Sequence, residues 1–173
     1  MGLSVATVVL EGDGIDADTV RRALWLPRKP DVTTTIEEVT THEYDDDHLG
    51  IFAVDGRVHV FGWSVTQIED AWLALTKAGG RAVVMTFAEN FDGNSYEIFE
   101  GGEKVRGWTQ PEATDGEPYV GEPHALDPEW DEEEHPAEVV NILHKRVAGE
   151  DMYGMVLDKY FESELPAWRV SGG

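Results

Sequence analysis

Two apolar runs, LGIFAV and RVHVFGW, stand on either side of Asp55-Gly56. Asp-Gly accepts positive φ at both central positions of a type I′ turn, whose twist matches that of an antiparallel ribbon. The stretch is read as a β-hairpin, and it commits the chain to antiparallel pairing. LSVATVVLE (residues 3–11) and RAVVMTFA (81–88) are apolar and rich in β-branched residues, as buried strands are. YEIFE, GGE and KVRGWTQ spell a second hairpin. TTTIEEVTTHEY (33–44) is rich in Thr and Val and is expected to be a strand with one wet face. LPAWRV, near the end, is expected to be extended: an edge strand, or a tail that packs Trp168.

Helices fall between these strands. Asp16 or Asp18 can cap a helix through TVRRALWL, which Pro27 and Pro30 then stop. Ser64 or Thr66 can cap a second, QIEDAWLALTKAGG, in which Ile68, Ala71, Trp72 and Leu75 share one face. Gly79 and Gly80 end it. Pro136 suits the first position of a third, AEVVNILHKRVAG, with Val139, Ile142, Leu143 and Val147 on one face. DMYGMVLDKYF is expected to be a short last helix. The order predicts an α+β fold with a mainly antiparallel sheet of about six strands and helices packed on one face. The length suits a single domain over residues 1–173, with an acidic loop at 110–135 and a helical part at 136–162.

Composition narrows the function classes. The chain is 41% hydrophobic and carries six Trp, six Phe and five Tyr, enough for a packed core. With no cysteine there is no disulfide framework, Cys-ligated zinc or thiol nucleophile. The start, MGLSVATVVLEGDG, has no basic leader, and its apolar run is too short to span a bilayer, so the protein is expected in the cytoplasm. The terminal Ser171-Gly172-Gly173 reads as a flexible tail. The net charge is −22, and it is segregated. Residues 31–56 hold eight acids and no Lys or Arg; residues 109–135 hold ten and again no base. Like charges repel, so nucleic acid and anionic membranes are not expected as partners.

The densest part of the second segment is DPEWDEEEHP, residues 127–136. Acids just before Pro136 favour the positive end of the helix dipole, which makes them a solvated lead-in to a helix. The other reading is a docking surface. Trp130 would supply apolar contact area, and Asp131, Glu132, Glu133 and Glu134 the charge, with Asp45, Asp46 and Asp47 as a second acidic group. The remaining tryptophans read as structural: Trp25 and Trp72 lie on apolar helix faces, and Trp63 and Trp108 end strands. His59 sits in an alternating strand and reads as a strand-face residue.

A metal-dependent hydrolase using His42 and Asp45–Asp47 is the enzymatic alternative, since HEYDDDH holds oxygen and imidazole donors. It lacks both the His-Glu-x-x-His pair and the EF-hand alternation, so no metal or other cofactor is expected. No nucleophile elbow, P-loop or dinucleotide fingerprint is present. A structural or assembly component is the third class.

GIFAVDGRVHVFGW (50–63) and LTKAGGRAVVMTFAENFDGNSYEIFEGGEKVRGW (75–108), followed by GEPHALDPEW (121–130) and HPAEVVNILHKRVAG (135–149), resemble a group of uncharacterised actinobacterial domains of the polymorphic-toxin immunity type. The similarity covers about two-thirds of the chain in structural motifs and carries over no catalytic residue. It implies a non-enzymatic binding protein. With the two acidic segments, the leading reading is an inhibitory protein, expected as a monomer or homodimer. The expected partner is basic: a nuclease-type toxin, or another nucleic-acid-binding protein whose active surface is covered.

Overall fold

A computed structural model of the chain describes residues 3–41, 48–90, 92–131, 133–160 and 162–170. One sheet takes up every strand of these residues. The strands are β1 (Ser4–Glu11), β2 (Val32–Thr35), β3 (His48–Val54), β4 (Arg57–Phe61), β5 (Arg81–Ala88), β6 (Ser95–Glu100), β7 (Glu103–Thr109), β8 (Tyr119–Val120) and β9 (Glu164–Arg169). Their spatial order is β2-β9-β3-β4-β1-β5-β6-β7-β8, antiparallel throughout. The α-helices are α1 (Ala17–Ala23), α2 (Ile36–Thr41), α3 (Glu69–Thr76) and α4 (Pro136–Ala148). A 3₁₀ turn over Trp63–Gln67 and a π-helix over Gly154–Lys159 complete the main elements.

The two hairpins form where the turn residues require them. Asp55 and Gly56 have φ of 51° and 76°, the two left-handed positions of the type I′ turn. Gly12 and Gly80 serve a different need: a Cβ on Gly12 would lie 2.6 Å from Gly80 Cα, so the end of β1 and the start of β5 meet backbone to backbone.

Several expectations are corrected. Among the described residues the sheet has nine strands rather than about six: the two-residue β8 adds an edge that the sequence did not signal, and β9 lies inside the sheet. Helices cover both faces rather than one. Val5 and Val9 of β1 pack with residues of α4 and the π-helix, while Ala6, Val8 and Leu10 pack with Val20 of α1 and Trp72 of α3. The continuous apolar runs of β1 and β5 follow from this, since a strand buried on both sides has no polar alternation. The expected strand over 33–44 is, in its described part, only the end of β2, which gives way to α2 at Ile36; residues 42–44 lie outside the described residues. Thr35 Oγ1 accepts from Glu38 N–H, and Glu38 Oε2 accepts from Thr35 N–H, the reciprocal bonds of a capping box. β9 is internal, between β2 and β3, and Trp168 Nε1 donates to Pro27 O at 2.8 Å. Neither Ser64 nor Thr66 caps α3; both lie in the 3₁₀ turn, and Ile68 precedes α3 without a side-chain cap. Trp25 is not core: it is 94% exposed.

The remaining helix ends follow their local chemistry. Asp16 accepts from Thr19 N–H and caps α1. Pro136 starts α4, His135 caps it through Nδ1, and Gly149 ends it at φ 80°.

Candidate functional site

The acidic loop between β7 and α4 is held by two arginines from outside it. Arg106 of β7 is buried and meets Asp127 twice: Nη2 to Oδ2 at 2.8 Å and Nε to Oδ1 at 3.1 Å. Tyr96 Oη donates to Asp127 Oδ1 at 2.7 Å, and His124 N–H to Oδ2 at 2.9 Å. Partial burial pushes the Asp127 carboxyl up, but these hydrogen bonds outweigh it and hold its pKa below the usual carboxylate range. Burial and then the Asp127 carboxylate push the Tyr96 phenol up. Arg106 also donates to Gly121 O at 2.7 Å and lies 4.3 Å from the Tyr119 ring centroid. From α4, Arg146 donates to the carbonyls of Leu126 and Asp127. Asp127 therefore belongs to the scaffold rather than to the acidic surface. The segment is base-free in sequence, but β7 and α4 bring bases to it.

Eight other acids of this segment stay on the outside: Glu112, Asp115, Glu117, Glu122, Glu129, Asp131, Glu133 and Glu134 are all exposed. Among the described residues none of the eight is in an ion pair. Asp131 organises the approach to α4, its Oδ1 accepting from Glu133 N–H and its carbonyl from Glu134 N–H. Glu132 lies outside the described residues.

Trp130 takes an intermediate position. Its ring is half-buried and meets Trp108 edge to face at 6.0 Å, and Trp108 stacks on Tyr96 at 5.8 Å. Its Nε1 donates to Glu134 O at 3.3 Å. The ring is thus anchored to the core at one edge and borders an open concavity of about 640 Å³ with Glu129, Asp131 and Glu134. Helix lead-in and surface feature coincide here, because the turn that starts α4 also positions the indole.

His42, Asp45, Asp46 and Asp47 lie outside the described residues. Among the described residues no group of three or more His, Asp or Glu is placed to hold a metal ion. The two acidic segments attach to distant parts of the sheet. The Asp45–Asp47 run leads into β3, while the loop leaves β7, and four strands separate these two. At ~4.8 Å per strand the attachment points are roughly 24 Å apart.

Sequence reasoning missed one polar cluster. His59 of β4 and His144 of α4 are fully buried, with ring centroids 6.3 Å apart. His59 also stacks on Phe61 and meets Phe52. His144 Nδ1 lies 2.6 Å from Glu150 O; a carbonyl only accepts, so Nδ1 carries the proton. Among the described residues, His144 Nε2 and both nitrogens of His59 have no hydrogen-bond partner. Burial, reinforced by His144 and Arg57, lowers the His59 pKa to about 3. Burial likewise lowers that of His144 to about 4, against the opposing pull of the Glu150 carbonyl. Both rings are neutral at pH 7. The available signal was helical spacing: His144 follows Val140 by four residues and precedes Val147 by three, which puts it on the buried arc of α4.

No helix among the described residues is long and apolar enough to cross a membrane. The chain matches no protein-family model, no curated protein and no solved structure.

Proposed function

We propose that this is a non-enzymatic acidic binding protein that docks a basic partner through the loop between β7 and α4, with Trp130 at the centre of the contact. The observation that carries this reading is the placement of the eight exposed carboxylates, which make no ion pair among the described residues. They ride on a loop that the buried Arg106–Asp127 pair and Arg146 hold in place, beside an indole that is half-covered. Fixed carboxylates attract an incoming cation over a long range, and a pre-positioned ring adds apolar contact area at little entropic cost. A Lys or Arg side chain entering the concavity would meet Glu129, Asp131 and Glu134 together with the Trp130 ring. The sequence resemblance to immunity-type domains supports a partner of the nuclease-toxin kind, whose phosphate-binding surface would be covered. In that reading the protein acts in the cytoplasm.

The test is stopped-flow association with a purified basic nuclease-type toxin at low and high salt. The on-rate should fall steeply with salt, and Glu129→Gln, Asp131→Asn, Glu134→Gln together should flatten that dependence. An on-rate insensitive to salt, or unchanged in the triple variant, would remove the reading.

A further inference from the structure

Trp25 breaks two local rules at once. It follows α1 at φ 57°, a left-handed position where glycine is usual and a Cβ is strained. The helix closes there through Trp25 N–H to Arg22 O and Leu26 N–H to Arg21 O, bonds that a glycine would make equally well. The indole instead projects into solvent, 94% exposed. It borders a groove of about 460 Å³ floored by Leu49, Ile68, Ala71 and Val170 and rimmed by Glu69 and Asp70. That volume is of the size that encloses a small ring system. Around Trp25 the charge changes sign: residues 16–30 hold four bases against two acids, with Arg22 paired to Asp18 and Arg28 and Lys29 exposed.

We infer that this face is the interface of a two-fold dimer of the chain, in which Trp25 of each copy enters the groove of the other. A two-fold contact requires one patch to be its own complement, and here the projecting ring and the apolar groove lie side by side. In this dimer the basic end of one copy, Arg28 and Lys29, faces the rim of its partner, where Asp70 supplies the open carboxylate and Glu69 is already paired with Lys104. Trp25 flanks α1 and α3, on the face of the sheet opposite α4, so the dimer leaves the Trp130 shelf open.

Sedimentation equilibrium on the full chain, from low to several hundred micromolar, tests this. The mass should rise from that of one 19.2 kDa chain toward twice that value. Trp25→Gly relieves the backbone, so it should melt at the same or a higher temperature while weakening self-association about thirty-fold or more, the scale of one aromatic hot spot. Asp70→Lys should also weaken it, and adding Arg28→Glu with Lys29→Glu should restore part of the loss. A single-chain mass at every concentration would overturn the inference. So would a dimer that Trp25→Gly leaves intact. Neither result bears on the Trp130 shelf, which is probed by partner association rather than by mass.

Discussion

Asp127 and Trp130 are three residues apart and do opposite work. Asp127 closes an ion pair with Arg106, and the side chains are 17% and 7% exposed respectively. Removing one partner of such a pair strands the other charge, at a cost of about 3–5 kcal/mol. Asp127→Asn should therefore lower the urea midpoint sharply and release the loop, which amide hydrogen exchange at residues 121–127 would report. The pair also sets a pH limit. Because the folded Asp127 pKa is lowered, its contribution is present above the ordinary Asp range and is lost as pH falls through the folded value. Trp130→Ala loses an edge-to-face contact of roughly 0.5–1.5 kcal/mol. It should give a small drop in melting temperature, with the larger effect on partner binding, ~2 kcal/mol or more. A variant that unfolds without losing affinity per folded molecule would make Trp130 purely structural.

The buried histidines give a sharper prediction at the same scale. Their folded pKa values, about 3 for His59 and about 4 for His144, lie below the value of 6.5 for a free imidazole. Between these limits the unfolded chain binds protons that the folded chain does not. Stability is therefore complete above about pH 6.5 and falls on acidification, by about 1.4 kcal/mol per pH unit for each histidine. Relief of carboxylate repulsion acts in the other direction at lower pH. His59→Leu should flatten the slope between pH 6.5 and 4.5 and leave the protein more acid-resistant. Urea denaturation at pH 7 and pH 5 checks this, and an unchanged slope would show that the rings are not the proton acceptors.

At the scale of elements, α2 shows how a signal can be present and overlooked. Thr and Val density suggested a strand over residues 33–44, yet Thr35-x-x-Glu38 is a capping-box pattern, and it wins locally. Thr35→Ala should cost about 1 kcal/mol, measured by thermal melting. For β9 the signal was incomplete. LPAWRV reads as extended, but nothing in it names a position between two strands distant in sequence. There Leu165, Ala167 and Trp168 are buried and both backbone edges are paired. Ending the chain before Glu164 should therefore unfold the β2–β3 end of the sheet and not merely fray a tail, as limited proteolysis would show.

Over the whole molecule, charge and burial are separated. A net charge of −22 repels itself, so added salt should raise the melting temperature modestly while slowing association with a basic partner. Opposite salt responses of folding and binding in one preparation would separate the two effects. The sequence by itself determined what depends on neighbours within a few residues: the Asp55-Gly56 turn, the Asp16 and Pro136 helix starts, the buried character of β1 and β5, and the segregation of acids. Those features follow from backbone preferences and local spacing, which a linear string records. Only the tertiary structure decided that helices cover both faces of the sheet, that Asp127 turns inward to Arg106 while its neighbours face water, that His59 meets His144, and that Trp25 stands outside. Each of these is set by a partner twenty or more residues away, or by the absence of one, and burial is a property of the assembled surface rather than of any residue in the string.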